Sequence, residues 1–246
     1  MTIWAVLPAA GIGRRMGSTI PKQYLTIADV PVLLHSLRRL GAVDSIQKIA
    51  VVIHPEDSHW PELAESIEPS LSQRLLPVSG GEERYQSVLN GLTALGAYAK
   101  SDDWVLVHDA VRPCVRTEDV DRLIQGMTSH AIGGLLGSPV DNTLKRVDAS
   151  SAVLETVDRE SYWNALTPQM FRFGLLLEAI QGIVISGEQV TDEAAAMESA
   201  GHRPMMVAGN KDNIKITHEA DLVLAAQILE SQAAESKESI NQGAKR

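Results

Sequence analysis

The sequence predicts an α/β fold, a mostly parallel sheet with helices on both faces, and three observations carry the prediction. Residues 3–7, 48–53 and 104–107 are short, almost unbroken apolar runs, as expected of strands covered on both sides. Between them lie segments with apolar residues at helical spacing, such as Leu33, Leu37 and Leu40, or Val88, Leu92 and Leu95. The runs end in loops at Ala9, Gly80 and His108, which an alternating β-α chain gathers at the carboxyl edge of the sheet, where ligands bind.

Taken in order, the strand at 3–7 feeds a small-residue loop, and a helix over 32–40 stops at Gly41. The strand at 48–53 ends before Pro55, a weaker helix covers 60–67, and a short strand over 75–78 leads into Ser79-Gly80-Gly81-Glu82-Glu83-Arg84. That turn opens the helix of Val88, Leu92 and Leu95, where free backbone N–H groups can meet a ligand. After the strand at 104–107 come His108-Asp109-Ala110-Val111-Arg112-Pro113, a helix over 118–127 and a strand over 132–136. The β-α rhythm then breaks. Residues 143–147 and 153–157 read as a hairpin around Asp148-Ala149-Ser150-Ser151, an arm of about 140–162 inserted into the domain. A projecting hairpin has little core of its own, so a homodimer packed through it is expected. Thr167-Pro168-Gln169, a helix over 175–183, Thr191-Asp192-Glu193 opening an Ala-rich helix, and a strand over 205–207 follow. Residues 210–217 precede a last helix marked by Leu222, Ala225, Ala226 and Leu229. One domain spans 1–230; residues 231–246, rich in Ser, Glu, Gln and Lys, read as a frayed tail.

Composition excludes several function classes. At 246 residues the chain suits one substantial domain, and no stretch is apolar for long enough to span a membrane. No secretory leader opens the sequence, which sets the cytoplasm as the expected location. The net charge of −9 argues against nucleic acid, whose binding rests on neutralising phosphates. The single cysteine, Cys114, forms no intrachain disulfide or thiolate cluster and reads as a small buried hydrophobe. The seven histidines show no zinc-type spacing; His108, beside Asp109, reads as a supporting residue.

An acidic protein that binds an anion must gather its cations locally, and the first loop does so. Ala9-Ala10-Gly11-Ile12-Gly13-Arg14-Arg15-Met16-Gly17 is followed by Pro21-Lys22-Gln23-Tyr24. With no Gly-Lys-Ser/Thr triplet it is not a P-loop, and Met16 stands where the dinucleotide fingerprint requires a third glycine or alanine. Small residues let backbone N–H groups approach a ligand, and paired arginines with a lysine suit a triphosphate that must lose pyrophosphate. The other cations in short loops are Arg112, Arg159 and Lys215, joined by Ser87, Asp109, Thr143, Thr167, Thr191 and Asp212. The chemistry implied is transfer at phosphorus, which needs positioning and charge neutralisation more than covalent help. A phosphate nucleophile is already ionised, so the want of an evident general base fits nucleotidyl transfer to a phosphomonoester. A divalent metal bridging the triphosphate is then expected, with Asp109 and Asp212 as candidate ligands.

Seven motifs together resemble one family. Ala-Ala-Gly-Ile-Gly-Arg-Arg-Met (9–16), Pro-Lys-Gln-Tyr (21–24), His-Asp-Ala-Val-Arg-Pro (108–113), Thr-Val-Asp-Arg (156–159), Leu-Thr-Pro-Gln (166–169), Thr-Asp-Glu (191–193) and Asp-Asn-Ile-Lys (212–215) stand in the order and spacing of 2-C-methyl-D-erythritol 4-phosphate cytidylyltransferases. The resemblance implies a Rossmann-like nucleotidyltransferase domain that uses CTP and Mg²⁺ in non-mevalonate isoprenoid synthesis, as a homodimer. It implies that Arg15 and Lys22 stabilise charge on the triphosphate, and that Arg159 and Lys215 hold methylerythritol phosphate, Arg159 reaching across to the partner's site. Pro8, Ala9, Ala10, Gly11, Gly13, Gly81 and Ser87 then match the nucleotide site. Asp109, Arg112, Thr143, Thr167 and Thr191 match the acceptor pocket. One departure is Asp141-Asn142-Thr143, where the family often has Arg-Asp-Thr; the pocket hydroxyl stays while a carboxylate beside it is lost. With the motifs ending near the end of the sequence, no fused cyclodiphosphate synthase domain is expected. The alternatives are a ribitol 5-phosphate cytidylyltransferase and a non-catalytic nucleotide-binding regulator.

Overall fold

The computed structural model describes residues 1–11 and 20–243, with side chains as far as Lys237. Strand β1 (Ile3–Pro8) forms from the first apolar run, and a tight helical turn at Lys22–Tyr24 follows. A small hairpin of β2 (Thr26–Ile27) and β3 (Val30–Pro31) then leads into α1 (Val32–Gly41). Next come β4 (Ile46–Ile53), α2 (Trp60–Glu65), α3 (Pro69–Ser72), β5 (Leu75–Ser79) and α4 (Arg84–Leu95). Strand β6 (Trp104–Val107), α5 (Thr117–Met127) and β7 (Gly133–Pro139) lead to the arm, β8 (Leu144–Val147) and β9 (Val153–Val157). The chain returns through β10 (Trp163–Arg172), α6 (Phe173–Ser186), α7 (Glu193–Ser199), β11 (Met205–Ala208) and α8 (Glu219–Gly243).

Seven strands make the main sheet in the order β11-β7-β10-β6-β1-β4-β5. All neighbours run parallel except β10, which is antiparallel to both β6 and β7. The arm causes that reversal. It interrupts the chain after β7 and sends it back alongside, so β7 and β10 act as the stem of a long hairpin with β8 and β9 at its tip.

Strand alternation divides the core between the two faces. Ile3, Ala5 and Leu7 pack with Leu33, Leu37 and Leu40 of α1 on one side. Trp4 and Val6 pack with Val88 and Leu92 of α4, and with Leu176 and Ile180 of α6, on the other. A third, smaller cluster joins Val111, Cys114 and Ile216 to Ala225 of α8. Helix α6 ends where Gly187 adopts φ 69°, a left-handed cap that costs a residue without Cβ little.

The end of the chain departs from the sequence reading. Where a frayed tail was expected from residue 231, α8 continues to Gly243 and Gln232 is buried. No helix among the described residues is long and apolar enough to cross a membrane.

Candidate functional site

The loops after β1, β5 and β6 meet at the carboxyl edge of the sheet and wall one cavity. Pro8, Ala9, Ala10 and Gly11 form one side and Gly81 and Ser87 another, while Lys22, Asp109 and Lys215 complete it. The two turns approach closely: a Cβ on Gly80 would lie 2.3 Å from Cβ of Ala10. Gln23 fixes the first loop by donating to the Ala9 carbonyl at 2.7 Å. The Ser87 hydroxyl accepts the Gly81 N–H at 3.1 Å, which holds the Gly-Gly turn against the first turn of α4. A reciprocal capping box closes that helix end, Glu83 with the N3 backbone and Gln86 with the Glu83 N–H at 3.0 Å.

Asp109 is the centre of charge. Its Oδ1 accepts from Arg84 Nη2 at 3.1 Å; its Oδ2 accepts from Lys215 Nζ at 2.9 Å and faces Arg112 Nε at 3.4 Å. Burial alone would raise its pKa, but the Arg84, Lys215 and Arg112 charges prevail and hold it well below the usual carboxylate range. Arg84 also grips Glu193 with both nitrogens, at 2.6 and 3.2 Å. Burial would lower the Arg84 pKa, yet Glu193 and Asp109 raise it, so the guanidinium stays charged. Glu193 is placed by the N-terminus of α7. Asp192 caps that helix through the Ala195 N–H at 2.9 Å, and Gln169 of β10 bonds both Asp192 Oδ2 and the Ala194 N–H.

Beneath Asp109 lies a buried relay. Burial lowers the His108 pKa to about 4, so the imidazole is neutral. Its Nε2 faces the Arg112 carbonyl at 3.1 Å and must donate, which leaves Nδ1 to accept from the Thr167 hydroxyl at 2.9 Å. The same hydroxyl accepts the Asp109 N–H at 3.1 Å. The Thr167 hydroxyl therefore shapes the loop that carries Asp109, and Thr167 is not among the residues that line the cavity. His108 is the supporting residue that was expected. Cys114 is buried, with its thiol pushed up to about 12, and is no nucleophile.

The structure brings together Pro8, Ala9, Ala10, Gly11, Gly81 and Ser87 with Lys22, Asp109 and Lys215, and Arg112 joins through Asp109. Lys22 Nζ lies 3.5 Å from the Ile216 carbonyl, beside Lys215 in sequence. Thr143 and Arg159 stand exposed on and next to the arm, and Thr191 is exposed just before α7; none lines the cavity of its own chain. Arg15 and Gly13 lie outside the described residues. The two metal candidates, Asp109 and Asp212, both face cationic side chains. Asp109 is paired with three cations, and Asp212, which is not among the residues lining the cavity, meets Arg116 at 2.7 Å and Gln232 at 3.0 Å. Among the described residues no group of three or more His, Cys, Asp or Glu side chains could hold an ion.

Sequence reasoning missed Arg84 and Glu193. Arg84 follows the Gly-Gly turn directly and Glu193 belongs to a quoted motif, so each had a local signal; their pairing across 109 residues had none.

Against known proteins, the sequence profile described as IspD, 2-C-methyl-D-erythritol 4-phosphate cytidylyltransferase, matches residues 3–231. The enzyme of that name from Hahella chejuensis is 48% identical over 223 residues, 91% of either chain. That from Shewanella amazonensis is 45% identical over 231 residues, 94% of either chain. The crystal structure of the Francisella tularensis protein of the same name superimposes with a TM-score of 0.79 at 34% identity, covering 93% of this chain and all of that one. A 4-diphosphocytidyl-2C-methyl-D-erythritol synthase structure gives the same score and identity over 98% of its length. Fold, cavity and sequence thus agree: the chain belongs to the 2-C-methyl-D-erythritol 4-phosphate cytidylyltransferase family.

Proposed function

We propose that this nucleotidyltransferase moves the cytidylyl group of CTP to 2-C-methyl-D-erythritol 4-phosphate, giving 4-diphosphocytidyl-2-C-methyl-D-erythritol and pyrophosphate. The observation that carries the reading is the joining, in one cavity, of a small-residue loop and a Gly-Gly turn with Lys22 and the cations around Asp109. An acceptor phosphate oxygen attacks the α-phosphorus, the new P–O bond forms, and the bond to the β-phosphate oxygen breaks in line. No proton has to be removed from the nucleophile, and no side chain is required as a base.

The first loop and the Gly80-Gly81 turn receive the nucleotide, their small residues admitting the cytosine and sugar close to backbone. Lys22 and Arg15 counter charge on the triphosphate as pyrophosphate departs. Lys215 and Arg112 face the acceptor phosphate, and Asp109 holds both of them in place while its remaining lone pairs suit polyol hydroxyls. Mg²⁺ bound with the triphosphate would neutralise charge as pyrophosphate leaves, with Asp109, a carboxylate that lines the cavity, as the side chain placed to hold it.

A homodimer completes the site. The arm forms a two-stranded sheet of its own and leaves Val147, Val153 and Leu154 exposed, with Tyr162 and Trp163 at its base. An apolar hairpin of this kind is marginal unless a partner covers it. Arg159 and Thr143 then enter the partner's cavity.

The test is pyrophosphate release with CTP, UTP and ATP, each combined with methylerythritol phosphate or ribitol 5-phosphate. Turnover with CTP and methylerythritol phosphate is expected. Preference for ribitol 5-phosphate would replace the acceptor, and CTP binding without turnover would favour a regulator.

A further inference from the structure

The family match ends at residue 231, yet the next residue, Gln232, is only 4% exposed. Its carboxamide makes three hydrogen bonds. Nε2 donates to the Cys114 carbonyl at 2.9 Å and to Asp212 Oδ2 at 3.0 Å, while Oε1 accepts from Arg39 Nη2 at 2.5 Å. Those partners belong to the two loops that carry the cations on Asp109. Cys114 ends the turn that holds Asp109 and Arg112, and Asp212 opens the run to Lys215. We propose that Gln232 is a positioning residue that sets the spacing between Arg112 and Lys215, and through it the seat of the acceptor phosphate; this rests on the acceptor role given to those two cations above.

The chemistry of the contact suits the task. A carboxamide carries two donors and an acceptor in one plane, so a single side chain can fix two loops and be fixed by a third element. Asp212 needs that donor, because its Oδ1 is buried with no hydrogen-bond partner and its Oδ2 is shared only between Arg116 and Gln232 among the described contacts. Arg116 is braced in turn by Glu235 at 2.6 Å, a more exposed pair that contributes less. Without Gln232, Asp212 keeps only its contact to Arg116 and loses its tie to the Cys114 loop, so the spacing between that loop and Lys215, three residues on, is no longer fixed. Displacements well under an ångström are felt in phosphoryl transfer, where alignment carries much of the rate.

Gln232→Met keeps the volume and removes all three hydrogen bonds. Its expected effect is a fall of about tenfold in kcat with a raised KM for methylerythritol phosphate, and a KM for CTP within about twofold. Asp212→Asn weakens the same contact from the other side without changing volume, and gives the same reading should Gln232→Met not accumulate. If the two residues act through one contact, the double variant is no slower than the worse single. Four results would overturn the inference: unchanged kcat whatever happens to Tm, equal rises in both KM values, effects that multiply in the double variant, or a wild-type enzyme that releases no pyrophosphate. The last removes the acceptor reading as well; wild-type turnover with an unaltered Gln232→Met enzyme defeats only the positioning role.

Discussion

Arg84 on the first turn of α4 and Glu193 on the first turn of α7 meet fork to fork at 2.6 and 3.2 Å, and Nη2 of the same guanidinium also donates to Asp109 at 3.1 Å. One arginine therefore ties the α4 wall of the cavity to helix α7 and to the loop after β6.

Glu193 is 1% exposed, so Arg84→Ala would strand a carboxylate that water cannot reach. The expected cost is about 3–5 kcal/mol in urea unfolding. Glu193→Gln added to Arg84→Ala should recover part of that loss, since the orphaned charge is gone. Equal stability of the single and double variants would contradict this.

Lys22→Ala should lower kcat by roughly 10²-fold or more with a smaller change in KM for CTP, as loss of a charge contact strongest in the transition state does. Steady-state pyrophosphate release decides it: a raised KM at constant kcat would make Lys22 a ground-state contact only.

Arg159→Ala and Lys22→Ala chains, each inactive alone, should complement when mixed. Half of randomly assembled dimers are heterodimers with one intact site of two, so about a quarter of wild-type activity is expected at equal mixing. No recovery after verified subunit exchange would make each subunit self-contained.

The buried His108 gives the fold an acid limit. Its pKa, about 4 against 6.5 when free, means that the unfolded chain binds the proton first as pH falls. Stability is then complete above pH 6.5 and declines towards pH 4, by on the order of 3 kcal/mol. Asp109, whose pKa is lowered, adds a further loss only below its unfolded value near 3.8. Denaturant titrations at stepped pH should show the decline between 6.5 and 4, and His108→Gln should flatten it.

Much of this was legible in sequence because the signals were local. Strands β1 and β6 were evident as apolar runs and α4 as a periodic helix behind a Gly-Gly turn, which located the carboxyl-edge loops and most of the cavity. The antiparallel direction of β10 had no such signal, since it follows from the arm sending the chain back. Gln232 was invisible for a different reason. It is buried by hydrogen bonds in a polar segment, and composition detects only apolar burial. The Thr167 hydroxyl bonds His108 and the Asp109 N–H, a direction that spacing cannot supply.

Strand β10 has a mechanical consequence. Its first residues, Trp163 to Ala165, pair with β7 at the stem of the arm; the ladder is irregular up to Gln169, and within that gap sits Thr167, joined to His108, Asp109 and Asn213. Residues 158–162 join the tip of the arm to β10, and from Trp163 the strand runs unbroken to the residue beneath the charged centre. The base of the arm and the loop that holds Asp109 therefore hang on one strand, so a shift of β10 at Trp163 is passed along the same backbone to Thr167 and from its hydroxyl to the Asp109 N–H.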